Sequence, residues 1–292
     1  MTVHIAHLND RGVVHASGAD VAKLLDGLIT NDIDNLAAQP AIHAALLSPQ
    51  GKILFAFFVV KSGEDFYLDV THDQAAALVK RLNFYKLRAN AQFADVSAEM
   101  AVAVAWGGAL PPVPRGILAY PDPRHPGLGH RMIVPRGRLS ELGKVETDAS
   151  AYHVNRIACG VPEEGRDYAP GDTFAHEADL DLFAGVSFTK GCFVGQEVVS
   201  RTQNKAVVRK RVVKISGDNL QPGAEIKHGA GVVGAVGSVA DTAGLAMLRL
   251  DRAAEAAAKG EPLTVDGKPI AVDAEALDRY RASAATKPVI DL

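Results

Sequence analysis

The sequence predicts an α+β protein with a small all-β region at its C-terminal end. Up to about residue 160, strand patterns alternate with helix patterns, which is typical of mixed α+β layers. After Asn204 the chain changes to short strand-like runs separated by glycines, which suggests a small barrel or sandwich. The chain has 292 residues, 48% of them apolar, so it is long enough for about two or three domains.

The first predicted elements are a strand and a helix. Residues 12–16 form a short strand pattern, and Ser17 is a plausible N-cap for the helix that follows. An apolar stripe with helical spacing is formed by Val21, Leu24, Leu25 and Leu28. The helix is expected to end near Thr30-Asn31-Asp32, because short polar side chains favour a cap or a turn. These residues could also point into a binding site, but helix termination is the simpler interpretation.

A β-hairpin is predicted over residues 41–60. Its two strands flank Ser48-Pro49-Gln50-Gly51, where the proline and the glycine fit a type I turn. The second strand is apolar on both faces, so we expect it in the interior of its sheet. The next predicted elements are a strand at 66–70, a helix around 76–82, and strands at 91–96 and 101–106.

The second half of the chain begins with an exposed connection, residues 111–127, which is rich in proline and glycine. Residues 151–158 are predicted to form a helix with Gly160 near its C-cap, and Cys159 is expected to be buried and inert. The C-terminal strand-like runs are 207–216, 225–228, 232–240, 245–250, 263–265 and 269–272. A short helix over 253–259 interrupts them, and the tail from Ala282 is expected to fray.

Composition excludes several classes of protein. The net charge is -3 without a long basic run, so a large nucleic-acid footprint is not favoured and no direct nucleic-acid binding is expected. Two cysteines are too few for a disulfide scaffold and suit a reducing compartment. The first nine residues lack an apolar targeting segment, and no apolar run is long enough to span a membrane. These observations predict a cytoplasmic protein without a membrane partner.

The most informative stretch is the octapeptide Lys190-Gly191-Cys192-Phe193-Val194-Gly195-Gln196-Glu197. Both glycines are expected to adopt an unusual φ or to permit a close approach of another group. A helix is predicted to start after Gly195, with Glu197 in its first turn. Cys192 would then lie near a helix N-terminus and two residues from Lys190, surroundings that favour a reactive or metal-binding thiolate. The alternative is that Cys192 is a small buried apolar residue.

Other chemistry is limited by the residues available. A self-contained iron–sulfur cluster usually needs about four thiolates, and this chain has two cysteines, so no autonomous metal or cluster site is expected. A Cys-His pair would need His176 or His153 to be brought close by the fold, and neither spacing is diagnostic. Glu177 is one of several acidic residues before the octapeptide. Its carboxylate could accept two parallel N–H bonds from the amino-pyrimidine edge of a pterin.

The octapeptide resembles the signature K-G-C-[FY]-x-G-Q-E of the YgfZ-type folate-binding proteins, which are relatives of the glycine-cleavage T-protein, an aminomethyltransferase. The resemblance covers nearly the whole chain. Four shorter stretches support it: Leu28-Ile29-Thr30-Asn31-Asp32, Phe84-Tyr85-Lys86-Leu87-Arg88, Arg156 to Asp167, and Glu177-Ala178-Asp179-Leu180-Asp181.

The resemblance implies a three-domain T-protein-like fold with two mixed α+β domains and a C-terminal small β-barrel. The implied domains are a discontinuous folate-binding domain (1–47 plus 145–206), a second α+β domain (48–144) and the barrel (207–292). Tetrahydrofolate would be a bound ligand, with Glu177 holding the pterin and with Asn31 and Arg201 near the pocket. The implied partners are folate and iron–sulfur cluster carrier or client proteins, with indirect effects on tRNA modification.

One departure from the T-protein pattern bears on activity. The region of the transferase's catalytic aspartate is occupied by Phe55 and Ala56, whose side chains cannot hydrogen-bond to or polarise a substrate. The first hypothesis is therefore a folate-dependent factor for iron–sulfur cluster assembly or repair, in which Cys192 works as a thiolate tuned by Lys190. The alternatives are a one-carbon (aminomethyl or methyl) transferase that uses another residue, and a binding module in which the octapeptide is structural.

Overall fold

The computed structural model describes residues 2–287 of the chain, and these form two compact units. The first unit takes in the described residues up to Pro49, together with Ile53–Asn155 and Phe183–Val194. The second consists of Gln50–Lys52, Arg156–Leu182 and the described residues from Gly195 onward. Within residues 2–287, no helix has the length and apolar character needed to cross a membrane.

The first unit contains two antiparallel sheets. The five-stranded sheet has the order β3-β4-β5-β2-β6, and the four-stranded sheet has the order β1-β7-β9-β8. The strands are β1 (His4–Leu8), β2 (Arg11–Ser17), β3 (Ala41–Leu47), β4 (Ile53–Ser62), β5 (Asp65–Thr71), β6 (Gln92–Asp95), β7 (Met100–Trp106), β8 (Leu118–Pro121) and β9 (His130–Pro135). Three α-helices accompany them: α1 (Val21–Asp26), α2 (Ala75–Lys86) and the start of α3 (Ser150–Ala158).

The predicted hairpin and its interior strand are confirmed. Strands β3 and β4 pair antiparallel, with Ala44 opposite Phe57, and β4 lies between β3 and β5. Because both faces of β4 are covered, its apolar run packs into the core of the unit. The domain boundary expected between residues 47 and 48 falls inside this hairpin, whereas the two strands belong to one sheet.

The start of α1 differs from the prediction. Asp20, not Ser17, is the residue before its first turn, because Ser17 is the last residue of β2 and pairs with Gln92 of β6. The Asp20 carboxylate accepts a hydrogen bond of 2.7 Å from the main-chain N–H of Asn90. The start of α1 is therefore attached to the segment that follows α2.

The second unit is built around a closed six-stranded barrel with the order β10-β13-β12-β11-β14-β15, which decides between the predicted barrel and sandwich. Its strands are β10 (Lys210–Ser216), β11 (Glu225–His228), β12 (Gly231–Ala240), β13 (Ala243–Arg249), β14 (Leu263–Val265) and β15 (Lys268–Val272). The helices of this unit are α4 (Gln196–Lys205), α5 (Leu250–Lys259) and α6 (Ala274–Thr286). The predicted fraying from Ala282 is wrong as far as Thr286, and the chain beyond residue 287 lies outside the described residues.

A buried arginine attaches the segment before the barrel to strand β12. The guanidinium group of Arg156 donates to the Asp167 carboxylate at 2.7 Å and to the Ser238 hydroxyl at 2.6 Å. The other Asp167 oxygen accepts the Ser238 N–H at 2.7 Å. Gly237 makes this approach possible, because a Cβ there would lie 2.6 Å from Asp167 Oδ1. Cys159, at the end of α3, is half-buried and not buried as expected.

Candidate functional site

The predicted reactive cysteine lies on a loop, residues 183–194, that we call the thiol loop. The loop is fixed to residues 30 and 31 of the same unit. The Thr30 hydroxyl donates to the carbonyl of Gly185 at 2.6 Å, and the Asn31 side-chain amide donates to the carbonyl of Ala184 at 2.8 Å. The main-chain N–H of Ser187 returns a bond of 3.0 Å to the Thr30 carbonyl. The polar Thr30-Asn31 pair therefore anchors the first part of the thiol loop.

Lys190 anchors the second part. Its side chain is 1% exposed, and its ammonium group donates to the carbonyls of Asp26, Ile29 and Asn31 at 2.6, 3.0 and 2.8 Å. The Asp26 carboxylate lies 3.1 Å from the same nitrogen. Three N–H donors thus have three carbonyl acceptors. The geometry gives Lys190 a structural role, and its predicted role in tuning the thiol stays a prediction.

Cys192 is exposed in the second part of the thiol loop. The next residue, Phe193, is buried, and its ring centroid lies 5.5 Å from the Lys190 ammonium nitrogen. The expectation for Gly191 is wrong, because a Cβ there would meet open space and its φ is not in the left-handed region. The loop therefore presents the thiol to solvent between two buried side chains.

The predicted helix after the cysteine is confirmed as α4. Gly195 precedes it with φ +81°, a left-handed conformation that suits glycine. Gln196 is the first residue of the helix, and Glu197 lies exposed in its first turn. Arg201 is exposed, whereas Val199 and Thr202 are buried. The helix belongs to the second unit, so the octapeptide begins in one unit and ends in the other.

The side-chain amide of Asn31 makes all of its hydrogen bonds within the first unit. Its amide nitrogen donates to the carbonyls of His43 and Ala184, each at 2.8 Å. Its amide oxygen accepts from the Asp32 N–H at 2.8 Å and from the Asn35 side chain at 3.3 Å. The predicted contact between Asn31 and folate stays a prediction, and it would compete with these bonds.

His43 lies beside this network as a neutral residue. Burial, followed by the positive charge of Arg124, lowers the pKa of His43 to about 3. Its Nδ1 lies 3.4 Å from the carbonyl oxygen of Phe183, the first residue of the thiol loop. A carbonyl can only accept a hydrogen bond, so we assign the imidazole proton to Nδ1.

Glu177 lies in the second unit and is half-buried. Its Oε2 accepts a hydrogen bond of 2.9 Å from the main-chain N–H of Phe174, and its carbonyl accepts one of 2.9 Å from the N–H of Val212 in β10. Each carboxylate oxygen can accept about two bonds. The carboxylate therefore retains acceptor capacity for the pterin contact that the resemblance implies.

Two aspartates next to Glu177 share one guanidinium group. Arg211 donates to Asp179 at 2.7 Å and to both Asp181 oxygens at 2.8 and 2.7 Å. Burial, opposed by the charge of Arg211, raises the pKa of Asp179 to about 7. One arginine serves two buried carboxylates, and Asp179 is the one whose pKa is raised. The neighbouring His176 is buried, with its Nε2 3.1 Å from the Gln203 side-chain oxygen.

A buried charged cluster in the first unit was not predicted from the sequence. Asp69 of β5 binds Arg11 of β2 at 2.7 Å and Arg131 of β9 at 2.6 Å, which joins the two sheets of the unit. Asp122 binds Arg124 at 2.7 Å. The three guanidinium groups lie 5.9, 4.8 and 4.3 Å from the ring centroid of one aromatic residue, Phe58. The sequence signal was the presence of charged residues inside otherwise apolar strands.

The two residues in the region of the T-protein's catalytic aspartate are buried. Phe55 is 8% exposed and belongs to the main apolar core of the first unit. Ala56 is 6% exposed and pairs with Ala45 across the β3–β4 hairpin. The observed positions agree with the interpretation that no acidic group is supplied from this part of β4.

Comparison with known proteins gives matches to both the sequence and the fold. Residues 209–277 match the family described as CAF17, C-terminal beta-barrel domain. A protein of Mus musculus described as iron-sulfur cluster assembly factor IBA57, mitochondrial, is 32% identical over 285 residues, which cover 83% of this chain and 76% of that protein. Its homolog in Mycosarcoma maydis is 33% identical over 232 residues, which cover 74% of this chain. The chain spans 57% of the length of that fungal relative.

Among solved structures, the aminomethyltransferase T of the glycine cleavage system from Bartonella henselae is similar, with a TM-score of 0.75. The match covers 93% of this chain and 85% of that protein at 16% identity, so it shows the fold alone. The predicted T-protein-like fold with a C-terminal β-barrel is confirmed. The prediction of a cytoplasmic protein is wrong, because the mouse and fungal relatives are described as mitochondrial.

Proposed function

Because the chain belongs to the IBA57 family of iron–sulfur cluster assembly factors, we propose that it supports the assembly or repair of iron–sulfur clusters in client enzymes. The observation that carries this proposal is the exposed thiol of Cys192 on a loop whose two ends are hydrogen-bonded to residues 26–31. A fixed, accessible thiol suits brief contact with a large partner, because little conformational freedom is lost on binding.

The cluster would be a substrate held mainly by another protein. Thiolates are the usual ligands of iron–sulfur clusters, and a standard cluster takes about four of them. The chain has two cysteines, so in this proposal Cys192 contributes one ligand while a carrier or client protein contributes the others. The partners of the protein are accordingly iron–sulfur carriers and clients.

Tetrahydrofolate is the proposed small ligand. The sequence resemblance to YgfZ-type folate-binding proteins supports this, and so does the acceptor capacity that Glu177 retains beside its bond to Phe174. Glu177 would accept from the amino-pyrimidine edge of the pterin, with Arg201 near the pocket, as the resemblance implies. Effects on tRNA modification would follow indirectly, through cluster-containing enzymes that modify tRNA.

The thiol role is tested by Cys192→Ser in cells that lack the native gene, with the activity of a cluster-containing enzyme as the readout. We expect the variant to fail to restore that activity while it folds normally, because Cys192 is exposed. Cys159→Ser is the matched control and should restore activity. Full rescue by Cys192→Ser would remove the thiol from the proposal.

The folate role is tested separately by anaerobic titration of the purified protein with tetrahydrofolate. Glu177→Gln keeps the size of the side chain but removes its charge, and we expect binding to weaken about tenfold or more. Asp172→Asn, an exposed substitution in the same stretch, is the control. Unchanged binding by Glu177→Gln would exclude the proposed pterin contact.

A folate-dependent one-carbon transferase is the alternative function. The similarity to an aminomethyltransferase fold favours it, but buried Phe55 and Ala56 leave that part of β4 without an acid. Turnover of an aminomethyl or methyl donor by the purified protein, with no cluster enzyme present, would support the alternative. Absence of turnover together with Cys192-dependent rescue would support cluster assembly.

A further inference from the structure

The C-terminal part of α2 exposes two large apolar side chains to solvent. Phe84 is 72% exposed and Leu87, the residue after the helix, is 86% exposed. They are three residues apart in the chain, at the point where α2 ends. Earlier in the helix, Leu78 and Leu82 are fully buried in the core. The end of α2 thus exposes two large apolar side chains that the core does not use.

Basic residues lie on both sides of these two positions in the sequence. Lys80 and Arg81 precede Phe84 by about one turn, and Arg88 follows Leu87; all three are exposed. Residues 74–94 contain four Lys or Arg and no Asp or Glu, although the net charge of the whole chain is -3. We call Phe84, Leu87 and these three exposed basic residues the α2 patch.

The backbone at Leu87 points to the same surface. Its φ is +44° and its ψ is -105°, a conformation that costs a residue with a Cβ about 1–3 kcal/mol. Glycine or asparagine is the usual residue where a helix ends with positive φ. Because the Leu87 side chain is 86% exposed, its burial within the chain cannot offset the cost of this backbone conformation. The stability of the fold therefore does not explain why leucine is found at this position.

We propose that the α2 patch docks an acidic protein partner, with Phe84 and Leu87 entering an apolar pocket and the basic residues facing carboxylates around it. The inference rests on the proposed function, and it identifies the partner as an iron–sulfur carrier or client protein with an acidic contact surface. An aromatic anchor within a charged rim is the usual arrangement of a protein–protein hot spot. Complementary charge at the rim speeds association and selects the partner.

A lipid surface and a nucleic acid fit the α2 patch less well. Helices that bind membranes lay a whole apolar face into the lipid, whereas the main apolar face of α2 is buried in the core and two side chains remain. Single-stranded nucleic acid stacks its bases on aromatic rings, and Leu87, the more exposed of the two, cannot stack. A protein pocket accommodates an aliphatic and an aromatic side chain together.

Helix α1 connects the surroundings of the α2 patch to the thiol loop. The Asp20 carboxylate at the start of α1 binds the N–H of Asn90, and the Asp26 carboxylate at its end lies 3.1 Å from the Lys190 ammonium nitrogen. Six helical residues rise about 9 Å, which is well within the width of an ordinary protein interface. The segment after the α2 patch and the thiol loop are therefore both attached to α1.

The test measures binding of a purified, cluster-free iron–sulfur carrier protein from the source organism to the full-length chain, at low and high salt. Phe84→Ala and the double variant Lys80→Glu/Arg88→Glu should each weaken binding about tenfold or more, and high salt should weaken wild-type binding. Val154→Ala and Lys144→Glu, which change an exposed apolar residue and an exposed lysine of the same unit, are the controls. All variants are expected to fold, because each changed side chain is exposed.

Different outcomes separate this inference from the proposed function. If the α2-patch variants bind like wild type while Cys192→Ser still fails to rescue the client enzyme, docking at the patch is wrong and the proposed function stands. Failure of wild type to bind any carrier or client tested would also overturn the docking inference. Patch-dependent binding to anionic vesicles or to an RNA oligonucleotide, in place of the carrier, would assign the patch to a different partner.

Discussion

The ammonium group of Lys190 donates a hydrogen bond of 2.8 Å to the carbonyl oxygen of Asn31. The side chain of the same asparagine donates a bond of 2.8 Å to Ala184, near the other end of the thiol loop. One residue thus contacts the loop at both ends, through its main chain and through its side chain. The lysine of the octapeptide positions Cys192 by fixing the loop.

The first prediction concerns Lys190→Met. Removal of the ammonium group leaves three carbonyl oxygens without their donor in a site that is 1% exposed, so we expect the free energy of unfolding to fall by about 3 kcal/mol. Denaturant titration of wild type and variant measures the change. Lys144→Met, at an exposed lysine of the same unit, should change stability by less than about 0.5 kcal/mol. A stable Lys190→Met variant would contradict the structural role.

The second prediction concerns His43 and acid. Burial, followed by the charge of Arg124, holds the pKa of His43 at about 3, against 6.5 in an exposed histidine. The unfolded chain therefore binds the extra proton between these pH values, and stability falls as pH drops below about 6.5, by at most about 1.4 kcal/mol per pH unit. His43→Gln should remove this contribution, as seen in unfolding curves measured between pH 7 and pH 4. An unchanged pH slope would contradict it.

The third prediction concerns Asp179, whose effect on the pH dependence of stability should have the opposite sign to that of His43. Burial raises its pKa to about 7 from an ordinary value of 3.8, so the folded chain binds the extra proton between these values. Its contribution to stability therefore increases as pH falls from about 7 to about 4. Asp179→Asn mimics the protonated form and tolerates the positive φ of this residue, +58°. The variant should lose this pH dependence of stability. Hydrogen exchange of amides in the second unit, measured between pH 7 and pH 4, checks the prediction. If the variant keeps the dependence, another group is responsible for it.

The fourth prediction compares alanine substitutions at two glycines of strand β12, Gly237 and Gly231. A Cβ at Gly237 would lie 2.6 Å from Asp167 Oδ1, which already accepts the Ser238 N–H. We expect Gly237→Ala to lower the free energy of unfolding by about 2 kcal/mol, because the carboxylate cannot move without loss of its bonds. Gly231→Ala meets its nearest contact at 3.6 Å and should be close to neutral. Equal thermal stability of the two variants would contradict the close approach.

Local sequence patterns predicted much of the fold. The proline and glycine of the 48–51 turn gave the hairpin, and the two-sided apolar run gave the interior strand β4. Gly195 marked the start of α4. In each case the deciding feature, a turn, a two-sided apolar run or a glycine before a helix, lies within a short stretch of chain. The 47/48 domain boundary came from the family resemblance, and it divides a hairpin whose two strands belong to one sheet.

Contacts between distant residues were beyond prediction. Asp69 lies 58 positions from Arg11 and 62 from Arg131, and no spacing rule connects them. The three acceptors of Lys190 are main-chain carbonyls, which leave no mark on residue type. The sequence therefore indicated that the octapeptide mattered, but not that its lysine is engaged in holding a loop.

The burial of Phe55 restricts how this chain can change over evolutionary time. A single Phe55→Asp substitution would place a carboxylate in the apolar core around β4, with a cost of several kcal/mol in folding free energy. Such a loss is a large share of the stability of an ordinary domain. An acid at position 55 would therefore require changes in the neighbouring core residues as well. The packing of β4 thus disfavours an acidic side chain at the position where the transferase family has its catalytic aspartate region.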